Sequence, residues 1–370
     1  MSSLKIIHTA DLHLDTPFEG LPEEKIKIRR AGQRELLTRL VTLAFSERAD
    51  LVLLSGDLLD SGNVYGETAR LLERTLNSMP CPVVISPGNH DYYGEASPYI
   101  SIPDSERVRI FRDEKIERAD FPKLGVSVFG AGFTGRAAAD LLRGFSAERE
   151  DGIINLMCIH GEVSDNGRYN PVTQQDIALS GMDYIAFGHI HSASGLKKSG
   201  NTYYSWPGCP EGRGFDETGD KRVNVIEIDR ESRSVSLRYA DISRYRYTNL
   251  AVDISGEDPL LAVHRLLPDD TERDIYRIKL TGETEEGVDI RRLYSNLEGM
   301  FFHLEISDCT KLKTDVWERA GEDTLRGLFL KKLKERYDAS KTPEERELIE
   351  RAARHGLNAL EGRRETEIDY

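Results

Sequence analysis

The sequence predicts an α/β fold in which two sheets pack face to face with helices on the outside. Three observations carry it: five apolar runs of strand character, helical spacing in the stretches between the first three, and a hairpin pattern further on. The runs are Leu4 to Thr9, Leu51 to Ser55, Pro82 to Ser86, Ile153 to Ile159 and Tyr184 to Phe187. Short apolar runs rich in β-branched residues and closed by Gly, Pro or Asp read as buried strands. Between them, residues 22–48 place Ile28, Leu36, Leu37, Leu40, Val41 and Ala44 at helical spacing, and Glu67 to Met79 places Leu71, Leu72 and Leu76 on one face. Strand, helix, strand, helix, strand is the order of a parallel α/β unit. Val223 to Ile228 and Val235 to Tyr239, joined by a turn near Glu231 and Ser232, read as a hairpin or meander.

Beyond residue 245 the pattern restarts as a small αβ unit. Strands are expected at Leu250 to Ile254, Ile275 to Leu280 and Met300 to Ile306, with helices at Pro259 to Leu267 and Ile290 to Leu297. The tail is helical, with Leu325, Leu328, Phe329, Leu333 and Tyr337 recurring at helical spacing. A second helix starts at Thr342-Pro343-Glu344-Glu345, a capping box with proline at the first helical position. The expected division is therefore 1–245, 246–312 and 313–370.

Five polar motifs close the five strands: Asp11-Leu12-His13, Gly56-Asp57-Leu58-Leu59-Asp60, Gly88-Asn89-His90-Asp91, His160-Gly161 and Gly188-His189-Ile190-His191. In open α/β sheets, sites collect beyond the carboxyl ends of strands, so clusters far apart in sequence can converge. Asp11, His13, Asp57, Asn89, His160, His189 and His191 form a nitrogen and oxygen set without sulfur. That set suits manganese first, with iron or zinc as alternatives, and fits calcium or a thiolate site less well. Asp57 is the natural bridge between two ions, because a carboxylate can offer one oxygen to each. Asp11 and His13 suit one ion; His189 and His191 need not share one. His90 follows Asn89 directly and is expected near a bound phosphate, to stabilise charge or protonate a leaving oxygen. Asp60 would orient its imidazole. Single pieces of this kind are common by chance, Asp60 could start a turn with Ser61-Gly62, and Asp91 could cap a loop. The ordered set is what carries the reading. His8 and His264, with no motif around them, are expected to be structural.

The motif order resembles the calcineurin-like metallophosphoesterase superfamily over residues 4–217. More narrowly it resembles the SbcD-type DNA repair nucleases of bacteria, including the YhaO-like branch. The narrower likeness rests on His8-Thr9-Ala10-Asp11-Leu12-His13-Leu14-Asp15, on Tyr204-Ser205-Trp206-Pro207-Gly208-Cys209-Pro210 followed by Gly214-Phe215-Asp216-Glu217, and on the long segment after His191. The resemblance implies a two-sheet α/β/β/α sandwich, a small αβ capping domain and a helical C-terminal region that binds an SbcC-like SMC-type ATPase. It implies one metal held by Asp11, His13, Asp57 and His191, and a second by Asp57, Asn89, His160 and His189. His90 would be the catalytic histidine, with Asp60 as its partner.

The expected function is a DNA nuclease that hydrolyses phosphodiesters with metal-activated water, as the nuclease subunit of an SbcC-like ATPase repair complex and as a homodimer. A second reading is a metallophosphatase or phosphodiesterase for small phosphate esters or nucleotides, which the same ligands would serve. A scaffold with a decayed site is disfavoured by the full ligand set. The net charge of -14 and pI near 5.3 count against polyanion binding by the protein as a whole. Attraction to DNA would have to come from metals, local basic loops or a partner. Asn166, Arg168, Tyr169 and Arg213 are candidate contacts. The 370 residues favour two or three units, and 39% hydrophobic with 31% charged content fits a soluble globular protein. Cys81, Cys158, Cys209 and Cys309 lack metal-binding spacing. With no run long enough to span a membrane and no signal peptide, a cytoplasmic protein with reduced thiols is expected.

Overall fold

The computed structural model of the chain describes residues 3–60, 65–165, 167–284, 287–312 and 316–360. Its first strand, β1 (Ser3–Thr9), shows how the layers arise. Leu4 and Ile6 point into one core and Ile7 into another, the period-two alternation of a strand buried on both faces. The chain continues through α1 (Glu23–Ser46), β2 (Leu51–Leu54), α2 (Gly66–Ser78), β3 (Val83–Ile85), β4 (Val108–Ile110), β5 (Glu117–Phe121), β6 (Val126–Ala131) and β7 (Ile154–His160). It then forms β8 (Glu162–Val163), β9 (Pro171–Val172), α3 (Gln174–Leu179), β10 (Tyr184–Gly188), β11 (Lys197–Ser199), β12 (Thr202–Ser205), β13 (Val223–Asp229) and β14 (Val235–Ala240).

Two six-stranded sheets result, in the orders β14-β13-β1-β2-β3-β4 and β11-β12-β10-β7-β6-β5. Within the first, β1 to β4 are parallel and the β13–β14 hairpin adds antiparallel strands beside β1. Within the second, β6, β7, β10 and β12 are parallel, with antiparallel β5 and β11 at the edges. Leu4, Ile6, Leu51, Leu53 and Val84 of the first sheet share one core with Val128, Leu156, Cys158 and Ala186 of the second. The outer face of the first sheet packs on Leu36, Leu37 and Leu40 of α1 and Leu72 and Leu76 of α2. Ile177 of α3 packs with Met157, Ile185 and Phe187 on the outer face of the second. This is the α/β/β/α sandwich that the sequence predicts.

A polar chain also crosses the sheets. Nε2 of His8 donates to the carbonyl of Phe187 (3.0 Å), and Nδ1 accepts from the Tyr184 hydroxyl (2.7 Å). Tyr184 meets the Ser205 hydroxyl at 2.6 Å, and Asn224 donates to that hydroxyl at 2.9 Å. His8 and Asn224 belong to the first sheet, Tyr184 and Ser205 to the second. His8 is thus structural.

Two departures from the sequence reading have clear causes. β4, β5 and β6 are additional strands, and β6 is buried throughout and pairs with β7; Val126-Ser127-Val128 ends on no polar motif that would draw the eye. In α1, Ile28 is exposed, and the inward stripe runs through Arg29, Gly32, Gln33, Leu36, Leu37 and Leu40. Arg29 can be buried because its NH1 donates to Glu211 (2.5 Å), its NH2 donates to the Gly212 carbonyl (2.8 Å), and its guanidinium lies over the Phe18 and Tyr245 rings.

The chain divides into two compact units, the first comprising 1–250, 268–277 and 297–305, the second 251–267, 278–296 and 306–370. The later elements are β15 (Arg246–Asp253), α4 (Pro259–Leu266), β16 (Asp274–Thr281), β17 (Glu283–Thr284), α5 (Ile290–Leu297), β18 (His303–Asp308), β19 (Lys311–Leu312), α6 (Leu325–Ala339) and α7 (Pro343–Leu360). A sheet runs in the order β15-β16-β18, and β17 pairs with β19. Asp258 caps α4 through the Leu260 and Leu261 amides, with Pro259 at the first helical position. In the second unit, Val316, Leu330 and Ala353 form a core against which Phe329, Leu333 and Leu357 pack, while Leu325 and Leu328 are exposed. The stripe of α6 is therefore shifted from the one the sequence predicts. Thr342 accepts from the Glu345 amide (3.2 Å), but the Glu345 carboxylate reaches the Lys341 amide, one residue short of a reciprocal box. Among the described residues no helix is long and apolar enough to cross a membrane.

Candidate metal centre

The loops after β1 and β2 are zipped together by backbone bonds: Asp11 N to Gly56 O (3.0 Å), His13 N to Asp57 O (2.9 Å) and Leu14 N to Leu58 O (2.9 Å). The loops that carry the motifs adopt unusual backbone. Asp11, His13, Asp15, Asp57 and His189 all have positive φ, at 56°, 44°, 70°, 52° and 98°. Each non-glycine residue so held costs about 1–3 kcal/mol, and such strain collects at functional sites. Gly56, with φ of 88°, is required twice over: a Cβ there would meet His160 Nδ1 at 2.6 Å.

Asp91 fixes the loops after β2 and β3 to each other. Its carboxylate accepts from the amides of Asp57 (3.1 Å), Leu58 (2.7 Å) and Gly88 (2.7 Å), and from the Tyr99 hydroxyl. Asp15 does the same for the first loop, accepting from Arg34 (3.0 Å), the Tyr65 amide (2.9 Å) and Thr68 (2.9 Å). Both side chains are buried.

The motif side chains converge on Asp57. Its Oδ2 lies 3.4 Å from His160 Nε2 and 3.7 Å from His13 Nε2. His160 donates Nδ1–H to the Ser55 carbonyl (2.8 Å), which leaves Nε2 facing Asp57 and, at 3.1 Å, Asn89 Oδ1. Nε2 of His191 lies 3.3 Å from His13 Nε2 and 3.9 Å from Asp11 Oδ1. Asp11 also accepts from the His189 amide (3.1 Å). Among the described residues, three groups of donor atoms lie close enough to hold an ion: Asp11, His13 and His191; His13, Asp57 and His90; Asp57, His160 and His189. His13 is common to the first two and Asp57 to the last two, so the groups form a continuous row. Nitrogen and oxygen donors in such a row fit two adjacent divalent ions. One detail differs from the sequence reading: Oδ2 alone faces both imidazoles, while Oδ1 accepts the His90 amide (2.8 Å).

Burial and neighbouring charge sort the protonation states. Burial raises Asp11 to about 7, His160 and His191 opposing it. Burial also acts to raise Asp57, but His160, His13 and His90 outweigh it and hold this carboxylate below the usual range. His160 is lowered by burial yet carried up to about 9, chiefly by Asp57. His189 falls to about 4 through burial and the charge on His160, and His13 falls well below its ordinary value through burial and Arg213. Neutral imidazoles keep the lone pairs that metals need. His90 is half-exposed, and its Nδ1 lies 3.1 Å from Asp60 Oδ1, the contact that chiefly raises its pKa.

Two residues of this neighbourhood lie in quoted motifs without being given their roles by the sequence, Asp91 as the anchor between two loops and Glu217 as the partner of His191. Glu217 Oε1 lies 2.8 Å from His191 Nδ1, and Arg213 donates to Glu217, its guanidinium lying 3.0 Å from that same nitrogen. Arg213 is thus committed inside the site. Tyr169 lies against the His189 ring, with centroids 4.8 Å apart; Arg168 is exposed, and Asn166 is outside the described residues, as is the Ser61-Gly62 turn.

Sandwich, strand-end loops and converging carboxylates and imidazoles define the class of phosphoesterases that use divalent metals. Residues 4–193, just over half of the chain, match the model for the calcineurin-like phosphoesterases, and the chain belongs to that family. It is therefore a hydrolytic enzyme. It is 28% identical over 281 residues to a Bacillus subtilis protein described as an uncharacterized metallophosphoesterase, YhaO, covering 73% of this chain and 68% of that one. It is 24% identical to the DNA double-strand break repair protein Mre11 of Saccharolobus solfataricus, over 56% of this chain and 55% of that one. It is 25% identical to a subunit of the SbcCD nuclease of Staphylococcus epidermidis, over 61% of this chain and 66% of that one. The chain thus spans between about half and two thirds of the length of these relatives.

Proposed function

We propose that the chain is a DNA nuclease that hydrolyses phosphodiesters at a pair of divalent ions, manganese first among the fits. One ion would be held by Asp11, His13, Asp57 and His191, the other by Asp57, Asn89, His160 and His189. The observation that carries this reading is Oδ2 of Asp57, set between the ring nitrogens of His13 (3.7 Å) and His160 (3.4 Å). When bound, a metal pair supplies an activated water and neutralises charge on the phosphoryl oxygens.

The protein's own residues do the rest. The strained loops hold the donors in place before substrate arrives, so little reorganisation is needed. His90 stands beside Asn89, half-exposed, with Nδ1 turned to Asp60 (3.1 Å). That contact leaves Nε2 to carry the proton given to the leaving oxygen. Asp60 raises the pKa of this imidazole and so favours its protonated form. In this reading residues 1–245 are the nuclease domain, 246–312 a capping domain, and 313–370 the dock for an SbcC-like SMC-type ATPase. The working form is a cytoplasmic homodimer. The relatives named for DNA double-strand break repair and for a nuclease complex support the choice of DNA.

The net charge of -14 favours a second reading, a phosphatase or phosphodiesterase for small esters or nucleotides. Manganese-dependent digestion of linear duplex and single-stranded DNA, run beside bis-p-nitrophenyl phosphate, separates the two. Cleavage of DNA is the expected result. Hydrolysis of the ester with none of DNA, even with the ATPase added, would establish the second reading instead.

A further inference from the structure

A cleft of about 370 Å³ is lined by His191, Ser192, Thr218, Lys221, Arg222 and Tyr239 among others, and by no other imidazole of the metal centre. Lys221 reaches into its wall, with Nζ 3.5 Å from the His191 carbonyl. Among the described residues no carboxylate lies within ion-pair distance of this ammonium. Its neighbour Arg222 is paired with Asp220 at 3.0 Å, and its guanidinium lies over the Tyr239 ring. Asp220 is itself shared with Arg246 (3.4 Å), so the one carboxylate of the cleft faces two guanidiniums and leaves Lys221 uncompensated. Lys221 is thus a half-buried cation without an acidic partner, beside His191, in a protein of net charge -14. The hydroxyls of Ser192 and Thr218 line the same space.

We propose that this cleft holds a second phosphate of the substrate, next along the strand from the phosphate under attack. His191 links the two positions, its ring facing the metal centre and its carbonyl facing Lys221. The ligand class is a polynucleotide segment, because a substrate with one phosphate has nothing to place against Lys221. The proposal rests on the nuclease reading and deepens it, by locating the basic contact that the acidic composition leaves to be found. Lys221 contributes charge and the cleft contributes shape; neither reads sequence.

The test is binding of a fluorescein-labelled oligothymidylate, followed by anisotropy over a salt series, on full-length protein loaded with divalent metal. Lys221→Glu is compared with wild type, with Lys221→Arg, and with Lys123→Glu, which makes the same charge change at an exposed position remote in sequence. Thermal melts establish that all four are folded. Lys221→Glu should bind about tenfold more weakly, with the slope of log affinity against log salt reduced by about 0.7, the increment of one phosphate contact on a single strand. Lys221→Arg should keep the wild-type slope, and Lys123→Glu should change neither quantity. Equal affinity and slope in Lys221→Glu and wild type, equal weakening in both glutamate variants, or no binding by the wild type would overturn the proposal. Lys221-dependent binding without cleavage would sustain the cleft and remove the nuclease reading.

Discussion

Oε1 of Glu217 lies 2.8 Å from Nδ1 of His191, whose Nε2 faces Asp11 and His13. A carboxylate on one ring nitrogen keeps the proton there and turns the other nitrogen's lone pair toward the site. Burial acts to raise Glu217, but its bonds to His191 and Arg213 hold it well below the usual carboxylate range, so it stays ionised. Glu217→Gln should therefore weaken metal binding about 10–100-fold while the protein stays folded. Calorimetric titration with manganese reads this directly. Unchanged affinity would leave Glu217 as a partner of Arg213 only.

His90→Ala should lower turnover by about 10²–10⁴-fold with both metals still bound. The grouping of His90 with His13 and Asp57 makes metal content the decisive control. If stoichiometry fell, His90 would be a ligand and not an acid. Asp60→Asn tests the same pair through pH. The protonated imidazole is the active form, and Asp60 raises its pKa, so activity should fall as pH rises through that pKa. Without Asp60 the fall should begin at lower pH. A pH profile unmoved by Asp60→Asn would count against the proposed proton donor.

The layers and the converging motifs are legible in the sequence because their signals are local. A strand closing on Asp or His announces both its burial and its chemistry within a few residues, as Leu51 to Asp57 does. What escapes depends on partners far along the chain. Asp91 reads as a loop cap, since nothing near it in sequence shows that the amides of residues 57 and 58 will turn toward it. Glu217 needs His191, and Arg29 needs Glu211; without those pairings an acid and a cation at such positions read as surface. β6 has neither motif nor clear alternation, because it is covered on both faces.

The buried clamp around His8 predicts a stability profile. Burial lowers His8 to about 3, against 6.5 in an unfolded chain. Above pH 6.5 neither state is protonated there, so the clamp contributes fully. As pH falls from 6.5 toward 3 the unfolded chain gains a proton that the folded one refuses, and the contribution is lost, by roughly 5 kcal/mol at most. Denaturant unfolding of wild type and His8→Gln should thus give a stability difference that shrinks with acid across that window. A difference independent of pH would mean that His8 is not held neutral.

A carboxylate shared by two manganese ions couples their electron spins, and electron paramagnetic resonance detects that coupling without reference to activity. Manganese-loaded wild type should bind two ions per chain and give the spectrum of a coupled pair, and Asp57→Asn should lose the coupling. Two uncoupled ions in the wild type, or one ion alone, would contradict a centre built on Asp57.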